Sequence, residues 1–268
     1  PYYYQTWWFL LLVIVSIVLF ILSLIYWRYR LMRASSQQLA QLVELRTTEL
    51  RKANEQLLLL SSTDQLTKLG NRRYVTERVQ QDIALSRRAY VRQSDPDNRD
   101  IVFVMLDIDH FKAINDQYGH TVGDTVLAEV GKRITSVIRD SDYAVRWGGE
   151  EFMIVGRCAN HLSSMTLPER LLRVIAHSPI VCGGQAVSVT CSMGFAHYPF
   201  VSFDLDALSW EQIVSIADAA LYKAKADGRN RWVGIEAGEH FDANDFGHSQ
   251  RYQDFLEMAS SNKLRFIT

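Results

Sequence analysis

The sequence predicts an α/β fold of the α+β kind, a central mixed sheet flanked by helices, preceded by one transmembrane helix and a coiled-coil linker. Three observations predict it. Residues 1 to 27 contain none of the chain's 29 basic and 30 acidic residues. Apolar residues then recur at alternating spacings of four and three through a stretch without Gly or Pro. From about residue 64, apolar runs of strand length and helical stretches follow one another in mixed order, as in a sheet with helices packed on it. The division is 1–30 for the membrane helix and its flanks, 31–63 for a coiled-coil signalling helix, 64–236 for a mixed α/β domain and 237–268 for a polar tail. With 48% apolar residues and 3 cysteines among 268, collagen-like, low-complexity and disulfide-scaffold classes are excluded. A net charge of −1 gives no reason to expect a nucleic-acid partner.

The first element is the aliphatic run from Phe9 to Ile25, broken only by Ser16 and Ser23. About twenty helical residues cross the roughly 30 Å hydrocarbon layer. Trp7 and Trp8 before it, and Tyr26, Trp27 and Tyr29 after it, suit the aromatic belts of a spanning helix. Arg28, Arg30 and Arg33 follow and no basic residue precedes, so the positive-inside rule puts the rest of the chain in the cytoplasm. The expected location is a bacterial inner membrane, crossed once in this segment. A cleaved signal peptide would carry its positive charge ahead of the apolar region. Because the chain begins at Pro1, it reads as the C-terminal part of a larger sensor.

The linker follows. Leu39, Val43, Arg46, Leu50, Ala53, Leu57 and Leu60 form about three heptads of seam. An amphipathic helix lying on its own domain has a similar stripe. Continuity with a spanning helix favours the coiled coil, and with it a parallel homodimer.

Within the domain the expected order is a helix near 72 to 92, a polar loop from Gln93 to Asp100 and a strand from Ile101 to Leu106. A turn containing Asp107 and Asp109 leads to helices near 111 to 118 and 123 to 139. Two strands flank Gly148 and Gly149, and a helix follows near 168 to 177. Strands at 180 to 182 and 186 to 195, a helix from 210 to 226 and a strand at 231 to 235 complete the domain. The tail contains one helix near 250 to 259.

Three groups of residues carry chemistry. Asp107 and Asp109, where a buried strand opens into a loop, suit a divalent cation with oxygen ligands, although such pairs also cap helices. In Trp147-Gly148-Gly149-Glu150-Glu151-Phe152, Gly-Gly fits a tight hairpin turn. The two glutamates after it put one carboxylate on each face of a strand; an ordinary hairpin has the same outline. Asn115, Asp116, Gly119, His120, Gly123 and Asp124 surround a helix-helix connection, where amide and carboxylate groups could read a purine edge or cap helices. Cys158, Cys182 and Cys191 have no metal spacing, and His161, His177 and His197 stand alone. Phe195, Tyr198 and Phe200 read as core aromatics.

The segments LDIDHFKAINDQYGHTVGD, RWGGEEF and ADAALYKAKADGRNR, preceded by DQLTKLGNRR, together resemble the GGDEF family of diguanylate cyclases in its GGEEF variant. The resemblance covers about Ser61 to Ile235. It implies a nucleotidyl-cyclase-like fold and an enzyme that condenses two GTP into cyclic di-GMP and two pyrophosphates, one GTP on each of two facing domains. It implies two Mg²⁺ per active site, with Mn²⁺ as a substitute, held by Asp107, the Ile108 carbonyl and Glu150. Glu150 falls at the family's catalytic carboxylate, Glu151 supports it and Lys112 lies nearest the transition state. Asn115 and Asp124 would read guanine, with His120 beside them, while Lys225 and Arg229 would neutralise phosphate charge. The run Arg139-Asp140-Ser141-Asp142 has the RxxD form of the family's product-inhibition site, and Arg170 falls at a second product-binding arginine; by spacing alone Arg139 and Asp142 would be a helix-end ion pair. A catalytically silent domain that senses GTP or cyclic di-GMP is the alternative reading. Asp107, Glu150, Glu151, Asn115 and Asp124 are all present, which favours the enzyme.

Overall fold

The computed structural model describes residues 9, 11–12, 14–17, 19–30, 44–47, 62–92, 99–159, 165–246 and 252–268. The chain divides into two compact units, Pro1–Leu60 and Ser61–Thr268. In the first unit the described positions from 9 to 30 are helical, and every residue from 19 to 30 is exposed. Among the described residues no helix is long and apolar enough to cross a membrane. Of the expected coiled-coil seam only Arg46 is described; Leu39, Val43, Leu50, Ala53, Leu57 and Leu60 lie outside the described residues, as do Arg33 and residues 93–98.

The second unit is built around a seven-stranded sheet. Its strands are β1 (Gly70–Asn71), β2 (Asp100–Ile108), β3 (Tyr143–Gly148), β4 (Glu151–Ala159), β7 (Cys191–Tyr198), β8 (Trp232–Ala237) and β9 (Leu264–Ile267). They lie in the order β1-β3-β4-β2-β7-β8-β9. The pairs β1/β3 and β7/β8 are parallel and the others antiparallel, so the sheet is mixed as expected. A separate hairpin joins β5 (Ile180–Cys182) to β6 (Gln185–Val187). The helices are α1 (Arg72–Val91), α2 (Phe111–Tyr118), α3 (His120–Val137), α4 (Thr166–Ala176), α5 (Trp210–Ala226) and α6 (Tyr252–Ser260).

Helices cover both faces. On the central strand β2, Ile101, Phe103 and Met105 point into a core with Val75 and Val79 of α1 and Ile213, Ala217 and Leu221 of α5. Val102, Val104, Leu106 and Ile108 point into a second core with Val126, Val130 and Ile134 of α3 and Leu171 and Ile175 of α4. A strand buried on both faces reads as one continuous apolar run rather than an alternation. At Gly194 of β7 an added Cβ would lie 2.1 Å from the Ala217 carbonyl oxygen. A side chain there would push α5 off the sheet.

Several boundaries differ from expectation, each for a local reason. The strand expected at 186 to 195 is two strands in two different sheets, β6 and β7, with 188–190 crossing between them. The helix expected to start at residue 123 starts at His120, because Gly119 at φ +85° both ends α2 and precedes α3. It stops at Val137, where Ile138 turns extended. Strand β2 runs on through Asp107 and Ile108, so Asp107 lies within the strand rather than in a turn.

The stretch beyond residue 236 packs onto the domain. Strand β9 pairs with β8 through Gly234↔Ile267 to Ala237↔Leu264. Phe246, Phe255 and Leu264 are buried in the α5-side core. An aromatic cluster of Phe200, Phe241, Phe246 and Phe255 fastens the segment.

Candidate functional site

The C-terminal end of β2 meets the start of β4, and their register sets Asp107 opposite Glu151. Directly opposed residues of an antiparallel pair share a face, here the α5 face of Met105 and Met153. Asp107 is 6% exposed. Lys225, from the last turn of α5, reaches it with Nζ 2.8 Å from Oδ2. Burial pushes the Asp107 carboxyl up, the Lys225 ammonium pulls it back, and Asp109 adds repulsion. Glu151 is also pushed up, by burial first and then by Asp107, Asp218 and Glu150. Asp218 on α5 is raised by burial and by Asp107, against the pull of Lys225. Three mutually repelling carboxyl groups around one ammonium make a site suited to a cation.

Among the described residues no three side chains of metal-binding type converge closely enough to hold an ion. Mg²⁺ is usually held by one or two carboxylates and the phosphates of a substrate rather than by an all-protein cage. The hard oxygen donors of Asp107 and Glu151 fit such an ion.

Glu150 sits in the turn, where its carbonyl accepts from the Ile108 N–H at 3.4 Å. So the hairpin's two glutamates divide: Glu151 faces Asp107 across the register and Glu150 stands at the turn beside Ile108. Arg146 shapes that turn. Its Nε and Nη2 donate to the Gly149 carbonyl at 3.0 and 2.8 Å, and its Nη1 donates to Asp64 at 3.2 Å. Asp64 also accepts from the Thr67 N–H and hydroxyl, both at 2.8 Å. Burial raises the Asp64 carboxyl, and the Thr67 hydrogen bonds with the Arg146 guanidinium outweigh it and hold it low.

Asp109 differs from its neighbour. Its carboxylate is 5% exposed and accepts from Ser192 Oγ at 2.6 Å, Thr190 Oγ1 at 2.8 Å and the Asn230 N–H at 3.0 Å. The expectation that Asp107 and Asp109 form a cation-binding pair is corrected here: all incoming groups around Asp109 are donors from the protein, and its oxygens are committed to them.

Helix α2 begins at Phe111 directly after this segment. His110 precedes it in the left-handed region at φ 58° and makes no side-chain cap. Lys112, in the first turn, is exposed. The open N–H groups of a helix start, with a lysine beside them, favour an anion. Asn115 at the other end of α2 lies against Gly123 of α3, where an added Cβ would meet its Oδ1 at 1.9 Å. His120 and Asp124, both exposed, occupy the first turns of α3 around that glycine. Arg229 follows α5 in a left-handed turn at φ 63° and lies close enough to Asp107 to lower its pKa.

The other predicted group lies apart, at the far end of α3. Arg139 is exposed. Its backbone N–H, rather than its guanidinium, donates to Asp142 at 3.1 Å. Asp142 also accepts from the Ser141 hydroxyl and the Arg157 N–H. Arg170 donates to the Val137 carbonyl, which brings it to the same end of α3. Sequence reasoning missed Asp218, Arg146 and Asp64. All three stand inside or beside the motif segments, and the signal that could have found Asp218 is its position seven residues before Lys225, two helical turns along the same face.

A family model described as the diguanylate cyclase GGDEF domain matches residues 61–231. Diguanylate cyclase A of Treponema denticola is 37% identical over 178 residues, covering 66% of this chain and 45% of that protein. The response regulator PleD of Caulobacter vibrioides is 35% identical over 193 residues, covering 71% of this chain and 40% of PleD. The chain thus spans less than half the length of these curated relatives. Among solved structures, the coiled coil and GGDEF domain of DgcB from Caulobacter crescentus, in complex with c-di-GMP, is similar with a TM-score of 0.58 and 29% identity, covering 72% of this chain and 96% of that one. A match over most of the chain, coinciding with the strand end, hairpin and helix turn that hold Asp107, Glu151 and Lys225, shows that this chain belongs to the GGDEF family.

Proposed function

We propose that the chain is a diguanylate cyclase: the 3′-hydroxyl of each of two GTP attacks the α-phosphorus of the other, forming cyclic di-GMP and releasing two pyrophosphates. The observation that carries this reading is the convergence of Asp107, Glu151 and Lys225 at the end of the central strands. There a carboxylate pair for a cation and an ammonium for phosphate meet within one site.

Asn115 and Asp124 hold the guanine, Asp124 accepting from N1–H and N2–H, with His120 alongside. That selects GTP over ATP. Lys112 and the start of α2 take phosphate charge from one side, Lys225 and Arg229 from the other. Asp107, the Ile108 carbonyl and Glu150 would hold Mg²⁺ or Mn²⁺, with Glu151 supporting. When bound, the ions polarise the phosphate and stabilise attacking and leaving oxygens alike. Glu150 is placed to take the proton from the 3′-hydroxyl. Arg146 keeps the turn closed under both glutamates through the Gly149 carbonyl.

Each active site is completed by a second domain, so output depends on a homodimer whose geometry the coiled-coil segment sets. Supporting a membrane anchor, the described helix from 19 to 30 exposes Leu19, Phe20, Ile21, Leu22, Leu24 and Ile25. A helix apolar on all sides and exposed on all of them needs a nonaqueous surrounding. The cyclase domain then lies on the cytoplasmic face of a bacterial inner membrane. Product inhibition is assigned to Arg139, Asp142 and Arg170. Its support is the RxxD form of Arg139 to Asp142 and the approach of Arg170 to the same end of α3 through the Val137 carbonyl.

Purified dimeric protein incubated with labelled GTP and Mg²⁺ is expected to yield cyclic di-GMP, and Glu150→Ala to stop it. Retained nucleotide binding without product in the unmodified protein would instead leave a sensing module. Arg139→Ala is expected to keep turnover and raise the inhibitory product concentration about tenfold, the loss of a charge-assisted hydrogen bond.

A further inference from the structure

We propose that Asp109 is a positioning residue for phosphate binding, acting through the loop that carries Arg229. The proposal rests on the reading of Arg229 as a phosphate ligand. Three consecutive residues of that loop have positive φ: Gly228 at 112°, Arg229 at 63° and Asn230 at 47°. Two of the three carry side chains, which rarely adopt this conformation without support. Within the loop, Arg231 Nε donates to the Arg229 carbonyl at 3.3 Å; the remaining support comes from outside it. The Arg229 N–H donates to the Ala224 carbonyl at 3.0 Å, closing the end of α5. The Asn230 N–H donates to Asp109 Oδ2 at 3.0 Å, and the Arg231 carbonyl accepts from the Met193 N–H at 2.9 Å. Arg229 is therefore pinned on one side by its own helix and on the other by a carboxylate 120 residues earlier in the chain.

The chemistry of the clasp explains why a buried aspartate stands there. The Ser192 hydroxyl, the Thr190 hydroxyl and the Asn230 N–H all point at it as donors. The two oxygens of a carboxylate accept from all three. In return, the Asp109 N–H donates to the Thr190 carbonyl at 3.0 Å, which fixes the residue to the segment just before β7. Asp109 also lies two residues after Asp107. The same turn of chain that presents the cation-binding carboxylate thus sets the position of the arginine facing it. One residue keeps the two halves of the phosphate site in register.

The test measures binding of 3′-deoxy-GTP with Mg²⁺ to the full chain; this nucleotide lacks the attacking hydroxyl and cannot turn over. Arg229→Ala is expected to weaken it about 10- to 100-fold, as for a lost charge-assisted bond. Asp109→Ala should weaken it to a similar extent, and Asp109→Ala combined with Arg229→Ala no further than Arg229→Ala alone. Asp109→Asn should recover most of the affinity, because its amide can present oxygen to Asn230 and nitrogen to the Ser192 hydroxyl, which can turn to accept. Asp109→Ser, which lacks the Oδ2 that Thr190 and Asn230 share but keeps a polar group, is expected to reproduce the affinity loss with less effect on folding. It decides the matter if Asp109→Ala does not fold. Additive losses in the double variant, or full affinity in folded Asp109→Ser, would overturn the proposal while leaving Arg229 a phosphate ligand. Undiminished binding by Arg229→Ala would remove the reading beneath it.

Discussion

Gly123→Ala separates stability from recognition, because the structure assigns the two effects opposite signs. Gly123 is buried within α3, and alanine is preferred to glycine in a helix interior by about 1 kcal/mol. By that measure alone the variant should be the more stable protein. The added Cβ, however, would lie 1.9 Å from Asn115 Oδ1, 3.0 Å from its Cγ and 3.2 Å from Phe111 Cζ. The Phe111 ring needs to give only a few tenths of an ångström. The Asn115 amide cannot stay, and as the end of a rotatable side chain it can swing away at little cost. The fold should therefore survive while the guanine contact is lost. One or two hydrogen bonds to a nucleobase correspond to about 1–3 kcal/mol, or roughly 5- to 150-fold in GTP affinity. Discrimination against ATP should fall with it. Thermal melting and competition binding with GTP and ATP measure the two sides separately. A melting temperature at or above that of the parent with undiminished GTP affinity would refute the placement of Asn115 at the nucleobase. A drop of several degrees would refute the argument that only a side-chain tip must move.

Arg146→Ala removes three hydrogen bonds, two to the Gly149 carbonyl and one to Asp64; it should lower stability by about 1–3 kcal/mol in denaturant unfolding and slow turnover. Asp107, Glu151 and Asp218 have folded-state pKa values raised by burial and mutual repulsion. Their stability contribution is therefore fully present below the ordinary carboxylate range, at about pH 4, and is lost as pH rises through the raised values. Melting in EDTA should show this fall above pH 4. Glu151→Gln should flatten it and raise the neutral-pH melting temperature of the metal-free protein, while cutting turnover about 100-fold or more; a lower melting temperature would count against repulsion at the site. Phe255→Ala, at a 2% exposed position in the α5-side core, should cost about 3–5 kcal/mol in the same unfolding assay. A surface-like cost below 0.5 kcal/mol would mean that the C-terminal segment does not pack there.

The central strand and the hairpin were legible because their signals are local. Nine buried residues from Asp100 to Ile108 and a Gly-Gly pair between two apolar runs identify themselves without tertiary information. The split of 186 to 195 was not legible: β-rich residues continue across it, and only the partner strands decide that Val187 belongs to a hairpin and Cys191 to the main sheet. The C-terminal strand was hidden for a similar reason. Leu264 and Phe266 alternate with Arg265 and Ile267 over only four residues, too few to declare a strand without β8 beside them. At the site, residue type pointed to Asp107, Lys225 and the two glutamates, whereas the part played by each depends on register. Asp107 faces Glu151 because β2 and β4 pair as they do, and a slip of one residue would have brought Glu150 to that face instead. Asp109 shows the limit most clearly. From sequence it matches Asp107, and only its three donors, one on β7, one just before it and one beyond α5, show that it is spent within the protein.

The same contrast explains how the domain tolerates its site. Burial first, then repulsion from Asp109 on Asp107 and from Asp107 on Glu151 and Asp218, raises these three carboxyls and weakens the metal-free fold at neutral pH. Around them stand groups of the opposite kind: Asp64 held low by Thr67 and Arg146, and Asp109 saturated by three donors. Each of these satisfied carboxylates grips a segment that carries one of the frustrated ones or its cation: Asp64 the hairpin turn through Arg146, Asp109 the end of β2 and the Arg229 loop. At neutral pH a bound cation relieves repulsion within the site, and the anionic phosphates of a nucleotide are held there through that cation. A site so held should be stabilised by Mg²⁺ and nucleotide together by more than the sum of either alone. Strict additivity of the two melting shifts would show that the acids relax on their own and that the clasps around them are ordinary packing.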